Sequence, residues 1–154
     1  MKRLVLVLFI LVASTVIATT PSTLCMAAIT APAPSDTFWG KLRDAIGEHL
    51  GKPYVIGSTG LKSFDCSGFV WRSLVDSGIY LKRTSARKLF FSLQPAPETS
   101  TSRFGTIIFF DNLRHCGIVN DANSFFHADC KKGTTISPLQ PYWQDKVCGY
   151  RQFL

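Results

Sequence analysis

The hydrophobic period of this chain changes near residue 105, and that change limits the fold more than any other feature of the sequence. Before it, apolar residues recur at helical spacing over residues 36–50, 66–77 and 85–93. After it, residues 105–110 form a β-branched and aromatic run typical of a strand buried on both faces. Further strands are predicted at 116–119, 125–130 and 147–153. Helices early and strands late predict an α+β domain, with N-terminal helices packed on an antiparallel β-sheet.

The N-terminal segment is typical of an export signal. A basic start at residues 1–3 precedes an apolar run that ends at Ala18, which is shorter than the about 20 residues of a membrane-spanning helix. We therefore expect a signal peptide over 1–18, with 26–28 as the alternative cleavage site, and an uncleaved anchor as the less favoured alternative. A linker over 19–35 and one domain over 36–154 follow. The mature protein is expected in the periplasm or outside the cell, without stable membrane insertion.

The charge of the chain is basic but scattered. It has 17 Lys and Arg against 10 Asp and Glu, and removing Lys2 and Arg3 with the signal leaves a net charge of +5. Such a balance suits contact with anionic polymers such as cell-wall glycans, and a solvated basic surface explains it equally well. Because no basic stripe and no nucleic-acid motif accompany the charge, we expect no nucleic-acid partner. We expect a monomer.

One cysteine lies where a helix begins. Asp65 is a good N-cap residue, which places Cys66 in the first turn of the helix over 66–77, and Gly78 stands where that helix should end. Unpaired N–H groups and the helix dipole favour the thiolate there, and the thiolate is the nucleophilic form. The alternative is that Cys66 is a small buried hydrophobe, as many unpaired cysteines are.

Two histidines flank a predicted hairpin. A turn within 120–124 brings Val119 opposite Phe125, and strand parity then places His115 and His127 on one face of the sheet. As diagonal neighbours they are roughly 7–8 Å apart at the backbone. One imidazole can serve as general base for a thiol while the second holds it in the right tautomer. The alternative is two unrelated histidines bonded to backbone carbonyls.

The remaining cysteines raise the questions of a metal and of disulfides. By the same parity, Cys116 and Cys130 lie on the face opposite the two histidines. The four side chains would then point away from each other in pairs, which disfavours a single tetrahedral zinc site. We therefore expect no metal and no other cofactor. After export a nucleophilic Cys66 has to stay unpaired, so at most one disulfide is expected among Cys116, Cys130 and Cys148, with its pairing open.

With these elements in place, the sequence from about Trp39 to the end resembles the NlpC-type family of cell-wall peptidases, which are papain-like cysteine hydrolases of bacterial peptidoglycan. The segments that carry the similarity follow in the family's order: G-K-P-Y at 51–54, F-D-C-S-G-F-V at 64–70, R-T-S at 83–85, H-C-G-I-V at 115–119, F-H-A at 126–128 and the closing segment 136–143.

The resemblance implies a papain-like α+β fold and roles for three residues. Cys66 would be the nucleophile, His115 the general base and His127 the residue that orients it. The implied function is an exported endopeptidase that cleaves amide bonds in peptidoglycan stem peptides or cross-links. The alternatives are an acyltransferase or hydrolase with the same triad on a substrate outside the cell wall, and an inactive module that binds the wall.

The resemblance also implies substrate contacts beside the triad. Tyr54 would position the thiol or line the oxyanion site, and Asp65 and Ser67 match positions that in some relatives bind the free amino end of the peptide. The sequence departs from the family pattern at four places: Lys82, where proline is usual; Ser58, where a second glycine is common; residues 104–106, which lack the family's Gly-Asp pair; and Cys116, where valine is usual. Such departures indicate a divergent member with altered substrate contacts.

Overall fold

The computed structural model of the protein describes residues 36–153; the predicted signal peptide and the predicted linker lie outside the described residues. The described part contains helices α1 (Asp36–His49), α2 (Cys66–Asp76) and α3 (Ala86–Ser92), and strands β1 (Gln94–Pro95), β2 (Ile107–Phe110), β3 (His115–Asp121), β4 (Ser124–Asp129), β5 (Gly133–Pro138) and β6 (Val147–Gln152). Short 3₁₀ turns lie at Glu98–Ser100 and Gln144–Lys146. Within 36–153, no helix combines the length and the apolar character required to span a bilayer.

The six strands form one antiparallel sheet in the order β1-β6-β2-β3-β4-β5. The α+β prediction is thereby confirmed, and the predicted strands lie within one or two residues of their expected bounds. Strand β5 was not predicted, because Gly133–Pro138 is mostly polar and shows no apolar alternation. It forms because it pairs with β4 along its whole length, from Ser124 opposite Pro138 to Asp129 opposite Gly133.

Both faces of the sheet are covered. On the helix side, Ile107 and Phe109 of β2 join one apolar core with Phe69 and Leu74 of α2. On the other side, the alternate β2 residues pack with Val119 and Phe125 against the segment before and at the start of β6. All four side chains of β2 are buried, as its unbroken apolar run predicts.

Local signals define both ends of α2. The Asp65 carboxylate accepts a hydrogen bond from the Gly68 amide at 2.6 Å, which caps the N-terminus as predicted. At the other end Gly78 has φ +102°, and its amide donates to the Val75 carbonyl while the Ile79 amide donates to that of Leu74. This pair of bonds is the Schellman arrangement, so the helix is fixed in length and in the position of its first residue.

The third histidine of the chain joins two helices. His49, at the end of α1, lies 2.8 Å through Nε2 from the Asp76 carboxylate of α2, which also binds Arg72 at 2.8 Å. The contact fixes α1 against the helix that begins with Cys66. We therefore assign His49 a structural role.

Candidate active site

Cys66 is the first residue of α2 and is 7% exposed. Its Sγ lies 3.7 Å from the Arg114 carbonyl, directly before β3. Hydrogen bonds from Cys116 and from His115, together with the His115 charge, lower the pKa of the Cys66 thiol to about 5 against the opposing effect of burial. The thiolate predicted from the helix position is thus favoured mainly by side chains of β3.

The two predicted histidines meet. Val119 pairs with Phe125 across β3 and β4, which is the register expected from the hairpin. The His115 and His127 rings lie 5.0 Å apart between centroids, and His115 Nε2 is 2.8 Å from His127 Nδ1. Because Nε2 of His115 is bonded to His127, its Nδ1 is the nitrogen left for the Cys66 sulfur.

Thiol and imidazole approach each other from opposite faces of the sheet. Cys66 belongs to the core on the helix side, whereas the His115 ring stacks on Trp143 on the other side, with 5.1 Å between ring centroids and 21° between planes. They reach each other because His115 is the first residue of β3, where the sheet ends. Strand parity alone does not show this contact.

His127 is fully buried, and burial followed by the nearby His115 charge lowers the pKa of its imidazole to about 3. It therefore stays neutral at ordinary pH. Its Nε2 lies 2.9 Å from Ser137 Oγ of β5. With the proton on Nε2 donated to Ser137, Nδ1 of His127 is free to accept a hydrogen bond from a protonated His115.

Sequence reasoning missed Ser137 and Trp143, both in the segment noted only for its similarity to the family's closing segment. Ser137 stands opposite Phe125 in the β4–β5 ladder, so it faces the same side as His127. A β5 strand placed antiparallel to β4 would have found it. Trp143 lies in the loop between β5 and β6, packs edge-on to His127 and stacks on His115, and nothing local predicts its position.

Asp65 and Ser67 form a polar cluster beside Cys66. Arg83 Nη2 donates to both carboxylate oxygens of Asp65, at 2.8 and 2.7 Å, and its Nη1 donates to Ser67 Oγ at 2.9 Å. Ser67 in turn donates to Asp65 at 3.0 Å, and the Gly57 amide donates to the same carboxylate at 2.9 Å. The cluster therefore ties the start of α2 to two loops. A direct contact of Asp65 or Ser67 with a peptide stays a prediction.

Steric crowding by the loop before α2 explains why position 68, two residues after Cys66, is glycine. A Cβ atom on Gly68 would lie 2.2 Å from the carbonyl oxygen of Ser58, far inside any real contact. The loop before α2 passes over the helix at this point. Any larger residue at 68 would push that loop, and the Asp65 cluster bonded to it, away from the helix.

Tyr54 lies in the bridge that precedes α2, paired with Phe64 and partly buried. Partial burial and the negative charges of Cys66 and Asp65 raise the pKa of its phenol. Tyr54 packs against the apolar core that contains Cys66. Its part in the oxyanion site stays a prediction.

The other cysteines are unpaired. Cys116 is buried on the helix side of the sheet, while Cys130 and Cys148 are exposed, and all four cysteines within 36–153 are free thiols. In the same range, no three His, Cys, Asp or Glu side chains are placed together in a way that would hold a metal ion.

Two known proteins are similar to this chain in sequence. Gamma-DL-glutamyl hydrolase of Bacillus subtilis is 34% identical over 114 residues, which are 69% of this chain and 27% of that protein. Murein DD-endopeptidase MepS/Murein LD-carboxypeptidase of Escherichia coli K12 is 29% identical over 119 residues, 74% of this chain and 62% of that protein. This chain therefore spans less than two thirds of the length of either relative.

The fold has known counterparts as well. The crystal structure of an NLP/P60 family protein from Staphylococcus aureus, described as similar to lipoprotein, matches with a TM-score of 0.70 and 28% identity, over 82% of this chain and 45% of that one. The family model of NlpC/P60 matches residues 51–152, which include Tyr54, Cys66 and both paired histidines. The chain belongs to the NlpC/P60 family.

Proposed function

We propose that this protein is an exported cysteine endopeptidase that cleaves amide bonds in peptidoglycan stem peptides or their cross-links. The observation that carries the proposal is the chain of contacts from Cys66 through His115 to the buried His127. The names of the relatives, a gamma-DL-glutamyl hydrolase and a murein DD-endopeptidase, support an amide substrate of this class.

Export belongs to the same proposal. Residues 1–18 would be the signal peptide, 19–35 the linker and 36–154 the catalytic domain, acting in the periplasm or outside the cell. The basic excess of the chain supports approach to an anionic cell wall. No cofactor enters the proposed chemistry, since a thiolate and an imidazole are sufficient for amide hydrolysis.

The first step is attack of the Cys66 thiolate on the substrate carbonyl carbon. The backbone N–H of Cys66, at the start of α2, is not used by the helix and would donate to the oxyanion that forms. The Tyr54 hydroxyl would line the same side. His115, protonated on Nδ1, would then give its proton to the leaving amine, so that the C–N bond breaks and an acyl-enzyme remains.

The second step reverses the proton transfer. Neutral His115 takes a proton from water, and the resulting hydroxide attacks the acyl-enzyme and releases the carboxylate product and the Cys66 thiolate. When His115 is protonated, Nδ1 of His127 accepts a hydrogen bond from the Nε2–H of His115. Because its own pKa is about 3, it would orient the ring without taking the proton.

The test is hydrolysis of purified cell walls, with soluble products identified by mass spectrometry. Cys66→Ala should abolish peptide release while the circular dichroism spectrum and thermal midpoint stay near those of the parent. Cys148→Ala, which removes an exposed thiol, is the matched control and should keep full activity. His115→Ala should lose more activity than His127→Ala, since one transfers the proton and the other orients.

Three outcomes would contradict the proposal. Full activity in Cys66→Ala would remove the nucleophile from the mechanism. Products from lipids or other acyl donors, with none from cell walls, would favour the acyltransferase alternative. Binding of the parent protein to insoluble wall without release of peptides, together with an unreactive Cys66, would favour an inactive wall-binding module.

A further inference from the structure

The indole of Trp143 packs against both site histidines and has no part in the mechanism above. Its ring centroid is 5.1 Å from that of His115 and 5.2 Å from that of His127, while the two imidazoles are 5.0 Å apart. The three rings therefore form a nearly equilateral triangle. The indole stacks on His115, with 21° between the planes, and meets His127 edge-on at 78°.

The indole is itself held in place by the core and by its own loop. It packs on Phe110 and Phe125, with 5.0 and 5.5 Å between ring centroids, and both of these side chains are buried. The Trp143 amide donates to the Leu139 carbonyl at 3.0 Å, and the Trp143 carbonyl accepts from the Lys146 amide at 3.0 Å. The loop between β5 and β6 thus presents a fixed aromatic face to the histidines.

We propose that Trp143 is a positioning residue of this site, which fixes the plane of the His115 imidazole, stabilises its charged form and limits access of water to the His115–His127 hydrogen bond. The inference rests on the proposed function, because it assigns a role toward the group that transfers the proton in that reaction. It adds a side chain that the Cys–His–His scheme does not contain.

An imidazole held by one hydrogen bond is not yet oriented. The torsion that turns a histidine ring has broad wells, so the ring rotates easily unless packing prevents it. His115 has to direct Nε2 to His127 and Nδ1 to the Cys66 sulfur at the same time. The hydrogen bond to His127 fixes one nitrogen at 2.8 Å, and the stack on Trp143 fixes the plane in which the other nitrogen lies.

The face of the indole also favours the protonated imidazole. The π face of tryptophan attracts a cation placed over it within about 6 Å. His115 carries such a charge before it gives its proton to the leaving amine. A second cation, the Lys146 ammonium, lies 5.6 Å from the Trp143 ring but only 3.2 Å from the Tyr142 ring. Tyr142 therefore takes that charge, and the Trp143 face remains for His115.

The same packing protects the bond between the two imidazoles. His127 is fully buried, whereas His115 and Trp143 are half-buried. Because the indole contacts both rings, water has less access to the hydrogen bond that joins them, and a hydrogen bond in a region of low dielectric is stronger. Removal of the indole should therefore weaken the orientation of His115 without touching Cys66.

The first measurement is hydrolysis of a defined soluble muropeptide that the parent protein cleaves. Trp143→Leu should lower kcat about tenfold and leave KM within about twofold of the parent value, since the indole contacts the imidazoles. Trp143→Phe keeps an aromatic face and should stay within about threefold of the parent kcat. Trp71→Leu is the matched control. It removes another half-buried indole, bonded to the Leu81 carbonyl in a different part of the fold, and should keep the parent kcat.

The second measurement does not depend on activity. In protein labelled with ¹⁵N-histidine, nuclear magnetic resonance reports how fast the imidazole N–H protons of the His115–His127 pair exchange with water. Exchange should be slow in the parent and in Trp143→Phe, and severalfold faster in Trp143→Leu. If Trp143→Leu does not fold, Trp143→Met fills the space without an aromatic ring, and the same comparisons apply.

Parent kcat in Trp143→Leu, or a loss no larger than that of Trp71→Leu, would overturn the inference. A change confined to KM would also overturn it, because Trp143 would then be a substrate contact. A merely structural Trp143 would lower the thermal midpoint and leave kcat and proton exchange unchanged. Failure of the proposed function has a different signature, since the parent itself would not cleave muropeptides or cell walls, while proton exchange would still report whether Trp143 protects the imidazole pair.

Discussion

Removal of the Asp65 carboxylate should destabilise the whole domain, because it breaks a helix cap and an ion pair at once. The carboxylate accepts from the Gly68 and Gly57 amides, from Ser67 and from Arg83. Loss of an N-cap costs about 1 kcal/mol. Loss of one partner of a buried ion pair costs about 3–5 kcal/mol.

Partial exposure reduces the second figure. The Asp65 and Arg83 side chains are 13% and 23% exposed, so water would solvate part of the unpaired guanidinium. We expect Asp65→Ala to lower the free energy of unfolding by about 3 kcal/mol in total. Urea denaturation followed by tryptophan fluorescence measures this quantity, because Trp39, Trp71 and Trp143 lie in different parts of the fold.

Two further variants separate the contributions. Asp44→Ala removes an exposed carboxylate from the middle of α1 and should stay within about 0.5 kcal/mol of the parent. Adding Arg83→Met to Asp65→Ala removes the guanidinium that has lost its carboxylate partner, so the double variant should be no less stable than Asp65→Ala alone. A loss under about 1 kcal/mol in Asp65→Ala would refute the assignment of a structural ion pair.

Two other predictions concern the buried side of the His115–His127 pair. Ser137→Ala leaves the Nε2–H of His127 without its partner and should lower the free energy of unfolding by about 1–3 kcal/mol, measured by urea denaturation; a loss under about 0.5 kcal/mol would show that another acceptor replaces Ser137. His127→Asn should make the stability less sensitive to acid. The folded imidazole has a pKa of about 3 and the unfolded one about 6.5, so the unfolded state binds the proton first and stability falls as the pH drops between these values. The parent should therefore lose about 2 kcal/mol more than the variant between pH 7 and pH 5; equal losses would contradict a buried neutral imidazole.

Much of the fold follows from local sequence signals. The Asp65 cap and the Gly78 terminator bracket α2, and each acts on backbone groups within a few residues. The β3–β4 register also follows from the sequence, because a short turn leaves the two strands few alternatives and Val119 has to face Phe125 to keep the apolar residues together. From this register alone, His115 and His127 are predicted to be neighbours.

Local sequence signals do not predict the side chains that surround the two histidines. Ser137 faces His127 only because β5 completes the sheet, and Trp143 stacks on His115 only because the following loop folds back over that face. Parity correctly separates Cys116 from the two histidines. It does not reveal that the start of α2 packs where β3 begins, with the Cys66 sulfur 3.7 Å from the Arg114 carbonyl.

Caps, turns and strand alternation act over a few residues. The sequence alone therefore determined the ends of the helix that carries Cys66 and the register of the hairpin that carries the histidines. The packing of that helix against the sheet decided which groups surround the sulfur. Arg83, Ser137 and Trp143 each lie at least ten residues from the side chain they contact in the site, and only burial of the shared core brings them there.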